Sequence, residues 1–185
     1  IGCSAIGPCV LPVDREGRPL MNAILYGVDT RATAEIAEFN ATIGEDLIMR
    51  TCRNALSTQA TGPKMLWLKR NRPEIFARTH KLINSTSYLN FRLTSVYAVD
   101  HYSAGNSAPY YLPDKLAWSD ELAPGTIPLS LMPDLHWTTD VIGHVTPEAA
   151  AETGLAAGTP VIAGTIDAAA EAVSVGVTSP GQMMV

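Results

Sequence analysis

Of the chain's 18 carboxylates, Asp167 stands where a carboxylate can do chemistry. It ends the run Val161-Ile162-Ala163-Gly164-Thr165-Ile166-Asp167 and opens the helix-forming stretch Ala168–Val173. The pattern predicts a strand over Val161–Ala163, a sharp turn over Gly164–Asp167 and a helix from Ala168. In open α/β folds ligands gather at the carboxyl ends of strands. A carboxylate there, beside the small Gly164, can approach a substrate hydroxyl closely and take its proton. A helix start favours the charged form, which suits a base rather than an acid. Asp is equally a favoured helix N-cap. Local sequence therefore leaves cap and base side by side, and the two roles are compatible.

Tyr26-Gly27-Val28-Asp29-Thr30-Arg31 sets an aromatic, a carboxylate and a guanidinium at a second strand-to-helix junction. Such a set can hold a polyhydroxylated ligand by stacking and hydrogen bonds. The plainer reading, an N-cap Asp with an exposed Asp–Arg pair, is the favoured one here.

Other chemistries fail on spacing. Gly2-Cys3-Ser4-Ala5-Ile6-Gly7 is one residue too long for the strained G-x-S-x-G elbow of a serine hydrolase. Gly62-Pro63-Lys64-Met65 lacks the preceding Gly and the following Ser or Thr of a phosphate-binding loop. No G-x-G-x-x-G marks a dinucleotide site. His80, His101, His136 and His144 are scattered, with no His–His or His–Cys pair at ligand spacing, so no zinc site is expected. Cys3, Cys9 and Cys52 are odd in number and form no C-x-x-C; they read as free thiols, buried or half-buried, in a reducing compartment.

These residues need a scaffold, and the composition supplies one. Across 185 residues the apolar share is 46%, enough for a buried core, while only 17% are charged. The net charge is −5 and the pI about 5.3. That balance excludes a disordered tail and argues against nucleic acid, whose phosphates demand clustered Lys and Arg. No apolar run reaches the roughly 18 residues of a membrane span, and no secretory signal is visible. A cytoplasmic location is the expectation. Both ends, Ile1-Gly2-Cys3-Ser4 and Gly181-Gln182-Met183-Met184-Val185, read as strands cut from a longer polypeptide.

Along the chain, Val10–Asp14 and Arg15–Leu20 read as strand, turn, strand, with Asp14 and Gly17 making the turn. A helix is expected from Arg31 to Phe39, capped by Asp29 or Thr30 and ended by Gly44. Helices are also expected over Lys64–Arg70, from Pro73, over about Ser85–Leu93, and from Thr146-Pro147-Glu148 to Gly154. The proline-rich stretch 103–135 reads mostly as loop and short helices. Mixed strands and helices favour an α/β domain.

The order of segments is more specific than any one of them. Ile1-Gly2-Cys3-Ser4, Val13-Asp14-Arg15-Glu16-Gly17-Arg18-Pro19-Leu20, Ile24–Arg31, Pro63–Leu68, Tyr88–Thr94, Val141–Ala150 and Gly158–Asp167 together resemble the FGGY carbohydrate kinases, xylulokinase-like members especially. The resemblance is collinear over nearly the whole chain. It implies an actin-like, ribonuclease-H-like ATPase fold, with residues 1–185 as an incomplete N-terminal, sugar-binding lobe of a two-lobed kinase. The nucleotide-binding C-terminal lobe would lie outside this chain. It implies transfer of the γ-phosphoryl group of ATP, with Mg²⁺, to a hydroxyl of a sugar or polyol. Asp167 matches the family's base. Tyr26 matches an aromatic, usually Trp, that lines the sugar pocket, and Asp29 matches a recurrent Asp of the same segment. Gly164 and Thr165 are expected to face the nucleotide. Where xylulokinases usually carry Met-His-Gly this chain has Gly7-Pro8-Cys9, and where Asn or Gln usually follows the base it has Ala168. These changes remove side-chain hydrogen bonds at the substrate and point to a different ketose or polyol. Family members are often dimers, which makes a homodimer an expectation. The family's two phosphate loops would precede Ile1 and follow Val185, so the segment alone is expected to be inactive. A non-catalytic sugar sensor on the same fold is the competing reading.

Overall fold

The computed structural model describes residues 1–179 and 181–184. β1 (Gly2–Ala5) leads into the Ile6–Cys9 loop, in which the Gly7–Pro8 peptide is cis. β2 (Leu11–Val13) ends in the Asp14 turn, whose Oδ1 accepts from the amides of Glu16 and Arg18 at 3.0 and 2.9 Å. The second strand expected after this turn shrinks to a single bridge between Val13 and Pro19. Proline has no N–H with which to extend a ladder.

α1 (Thr33–Phe39) starts later than expected, and neither Asp29 nor Thr30 caps it; Ala32 holds the cap position with no side-chain bond. The helix runs on through one wide turn, Asn40–Gly44, before Gly44 at φ +96° breaks it. α2 (Glu45–Cys52), not foreseen, buries Ile48 and Cys52, four residues apart on one face. α3 (Thr61–Asn71) and α4 (Pro73–Phe76) stand where the sequence placed them. β3 (Lys81–Ile83) pairs antiparallel with β2. α5 (Ser85–Thr94) is capped by Asn84, whose Oδ1 accepts from the Ser87 amide at 2.7 Å.

β4 (Ala98–Asp100) and α6 (His101–Ala104) follow, then a small hairpin of β5 (Tyr111–Leu112) and β6 (Ala117–Trp118). β7 (Asp134–His136) pairs in parallel with β4. β8 (Val141–His144) precedes α7 (Pro147–Thr153), which runs between the Thr146 cap and Gly154 at φ +77°. β9 (Pro160–Ile166) and α8 (Asp167–Ser174) complete the order. The expected closing strand is not formed over residues 181–184, and Val185 lies outside the described residues.

β9 is the middle strand of a three-stranded sheet, parallel to β1 and antiparallel to β8. The expected sharp turn at Gly164 is absent: the strand continues to Ile166 and passes directly into α8. What replaces the turn is a bulge. Two steps along β1, Gly2 to Ser4, match three along β9, Ile162 to Thr165. Gly164 takes φ +64° there, and a Cβ on it would lie 2.1 Å from the Cys3 carbonyl oxygen. Asp167 is the first helical residue and Ile166 the N-cap, so Asp167 does not hold the cap position expected, although its side chain does take a first-turn amide, that of Ala168.

The main core lies under α1–α3, where Ile24, Phe39, Ile48, Leu68 and Tyr110 are almost wholly buried. Phe39 meets Tyr110 edge-on at 6.2 Å, and the buried Tyr110 hydroxyl pairs with Thr126 Oγ1 at 2.8 Å. Among the described residues no helix is long and apolar enough to cross a membrane.

Two outcomes follow from this packing. Gly164→Ala is expected to cost at least about 2 kcal/mol, from left-handed strain plus backbone overlap. Gly158→Ala, at φ +80° in open space, should cost only about 1 kcal/mol; denaturant melts of the two variants check the ranking. Burial, with Glu121 adding to it, pushes the Cys52 thiol from 9.0 up to about 11, and burial pushes Tyr110 from 10.0 up to about 12. Above pH 9 the unfolded chain sheds these protons first, so the folded state holds more of them. Stability should therefore fall as pH rises from about 9 towards 12, with a shallower slope between 9 and 11 in Cys52→Ala.

Candidate functional site

Ala5 and Ile166 are register partners on parallel strands, so Ile6 and Asp167 leave the sheet side by side. The Gly7–Pro8 loop folds over the end of β9: a Cβ on Gly7 would lie 2.4 Å from Ile166 Cγ2. Only glycine fits between the loop and that side chain. Asp167 is half-exposed, and its Oδ1 accepts from the Ala168 amide at 2.9 Å. Among the described residues Oδ2 has no hydrogen-bond partner, so one oxygen is held and the other is open. Ala168 is exposed beside it.

Cys9 is buried behind this corner. Its Sγ donates to the Ile6 carbonyl at 3.8 Å, and burial pushes the thiol up, with the charge of Asp167 adding to that and the charge of Lys64 opposing it. Cys9 thus senses both Asp167 and Lys64. Pro8, Cys9 and Ile166 also line a small cavity of about 30 Å³, as does buried Ser103, whose hydroxyl has no partner among the described residues.

Lys64 is the residue the sequence reading missed. It was weighed only against a phosphate-loop pattern, yet its side chain is 1% exposed. Its Nζ donates to the carbonyls of Leu25 and Thr58 at 2.5 and 2.6 Å. Burial holds its pKa below the usual lysine value, while the charges of Asp29 and Cys9 pull it back up. Lys64 therefore ties the Leu25–Asp29 loop to α3. The signal was there: a lone cation at the start of the apolar helical run Met65-Leu66-Trp67-Leu68.

Asp29 itself is engaged. Arg31 Nε donates to its Oδ1 and Arg31 Nη2 meets its Oδ2, both at 2.8 Å, and the guanidinium lies 4.8 Å from the Trp67 ring centre. Burial raises the Asp29 pKa, but the bonds and charge of Arg31 outweigh it and the carboxyl is held low. Tyr26 is half-buried next to the loop that Lys64 anchors. The structure brings Gly7, Pro8, Asp167 and Ala168 together. Tyr26 and Asp29 follow Ile24, which pairs with Val10 just after the Gly7–Cys9 loop, and Lys64 ties their segment to α3; neither Asp167 nor Tyr26 lines any of the main hollows.

Gly164 and Thr165 are both buried. Thr165 donates its hydroxyl to Asp100 Oδ2 at 2.8 Å, inside the protein. Gly164 offers backbone only, and the Thr165 hydroxyl is already committed to Asp100. Among the described residues no cluster of three or more His, Cys, Asp or Glu is placed to hold a metal ion.

Residues 1–174 match the N-terminal domain of the FGGY family of carbohydrate kinases. The chain is 32% identical over 173 residues to the xylulose kinase of Bacillus subtilis, covering 93% of this chain and 34% of that protein. It is 31% identical over 174 residues to the autoinducer-2 kinase of Yersinia enterocolitica, covering 93% of this chain and 32% of that one. The solved xylulose kinase of Rhodospirillum rubrum superposes with a TM-score of 0.91 at 31% identity, over 98% of this chain and 37% of its own. The chain thus spans about a third of the length of these relatives. Because the match runs unbroken from β1 through α8, the chain belongs to the FGGY family of carbohydrate kinases.

Proposed function

We propose that this chain is the acceptor-binding part of a kinase that phosphorylates a hydroxyl of a ketose sugar or polyol, with Asp167 as general base. The observation that carries the reading is the open Oδ2 of Asp167 at the carboxyl end of β9, beside a loop in which only glycine fits. In this reading residues 1–185 are part of the N-terminal lobe, the second lobe is supplied by the rest of the protein, and the protein works in the cytoplasm. ATP, with Mg²⁺, would supply the phosphoryl group, held by residues beyond those described here.

The chemistry asked of this chain is narrow. Phosphoryl transfer depends on positioning and charge neutralisation more than on covalent help. The amide of Ala168 fixes one oxygen of Asp167, so the other points in a defined direction. That oxygen would accept the proton of the acceptor hydroxyl as the hydroxyl oxygen bonds to the γ-phosphorus and the bond from that phosphorus to the departing ADP breaks. The Gly7–Pro8 loop can face the acceptor with backbone only, since neither residue offers a polar side chain. Tyr26, carried on the loop that Lys64 pins, would supply a flat face for a sugar ring. Asp29 would act through its pairing with Arg31.

The test is an ADP-release screen of the full-length protein over ketopentoses, ketohexoses and polyols. At least one acceptor should rise above the ATP-only rate. Asp167→Asn should then lower kcat by about 10²–10⁴; a variant keeping more than a tenth of the activity would remove Asp167 as the base. Lys64→Met leaves two buried carbonyls without their donor and should cost about 2 kcal/mol or more in stability. It should also raise the acceptor KM more than it lowers kcat, as steady-state kinetics would show.

A further inference from the structure

Three consecutive hydroxyl residues open α5, and each donates to a carbonyl on a different part of the sheet system. Ser85 donates to Ile6, just past the end of β1. Thr86 donates to Thr165 on β9 at 3.0 Å. Ser87 donates to Ala98 on β4 at 2.5 Å. One turn further on, Asn90 donates to Ala163 on β9 at 2.6 Å, on the same helix face as Thr86. Thr86 and Asn90 are both buried.

The first two bonds fall on the segments that carry the candidate site. Ile6 precedes Gly7–Pro8, and Thr165 lies two residues before Asp167. Strand ends and bulges lose ladder partners, so their carbonyls need donors from elsewhere. Here the donors are adjacent residues on one helix. β1 and β9 already pair with each other, and one turn of α5 adds a second tie between the start of the Gly7–Pro8 loop and the end of β9. Short side chains make the linkage stiff: each hydroxyl is one bond from its Cβ and has few rotamers.

We propose that Ser85 and Thr86 are positioning residues that hold the acceptor loop and the base at the separation proton transfer requires. The inference rests on the kinase reading above. Misplacing reacting groups by about 1 Å can cost about 10²-fold in rate. Removing a link without removing bulk should therefore show in kcat before it shows in folding.

The experiment uses the full-length protein with the best acceptor from the screen. Thr86→Val keeps the shape and loses the donor; kcat should fall about tenfold or more, with the KM for ATP unchanged. Thr86→Ser keeps the hydroxyl and should restore most of the rate. Ser85→Ala should raise the acceptor KM several-fold. Combined with Asp167→Asn, Thr86→Val should add no further loss, since it acts through that residue. A Thr86→Val protein that melts earlier but turns over at the wild-type rate has lost only a structural bond, and that overturns the inference. If Thr86→Val does not fold, Ser85→Ala decides: unchanged kcat and acceptor KM overturn the inference as well. Full activity in Asp167→Asn rejects the base assignment and the inference with it. An inactive Asp167→Asn beside a fully active Thr86→Val rejects the inference alone.

Discussion

The carbonyl oxygen of Cys3 occupies the place where a side chain at position 164 would begin, and β9 can pass it only as glycine. In the left-handed conformation Gly164 adds one residue to β9 relative to β1. Side chains alternate along a strand, so one inserted residue exchanges the faces of everything after it. After the bulge Thr165 turns inward to Asp100 and Ile166 lies under Gly7. Asp167 arrives half-exposed at the mouth of the loop. The amides of Ala163 and Gly164 are not left bare, because the carbonyls of Asp140 and Thr138 take them at 2.9 and 3.0 Å.

Charge is handled differently inside the protein and at its surface. The exposed pairs Arg92–Glu152 and Lys115–Glu121 are close, at 2.7 and 2.6 Å, yet sit in water, where such pairs contribute about 1 kcal/mol or less. Lys64 has little water around it. Its desolvation is offset by two short bonds to carbonyls, with Asp29 and Cys9 as its nearest electrostatic company. A lysine so placed fixes backbone. It holds the segment bearing Tyr26 against α3, much as the hydroxyls of α5 hold the ends of β1 and β9.

What could be read beforehand tracks how local the cause is. α7 was legible because Thr146, Pro147 and Gly154 write its two ends, and α3 and α5 because their apolar residues recur at helical spacing. β3, β4 and β7 have three residues each, too few for alternation to register. Gly164-Thr165 carries turn composition, but the glycine answers to Cys3, more than 160 positions away, so a bulge was taken for a turn. Asp29 was correctly seen as the partner of Arg31 and wrongly as a cap; the pair leaves no free oxygen for a helix end. Asp167 could be singled out because its strand and helix meet in sequence. The α5 linkages were invisible because every partner is supplied by tertiary packing, whereas the burial of Lys64 showed only as a lone cation in an apolar helical run.

The half-exposure of Asp167 fits the role better than burial would. A carboxylate sealed within one lobe could not meet a hydroxyl that must also reach a phosphoryl donor. One fully in water would exchange its proton with solvent and lose the advantage of a dry site. Asp167 shows one oxygen held by its own helix and one facing outward, on a surface where none of the main hollows encloses it. Such a group becomes an effective base only when acceptor and a second wall close over it and expel water. In the proposed kinase reading a division of labour follows: this chain would set direction and distance, through Gly164, Ser85 and Thr86. Exclusion of solvent must come from whatever packs against the Gly7–Pro8 loop during turnover.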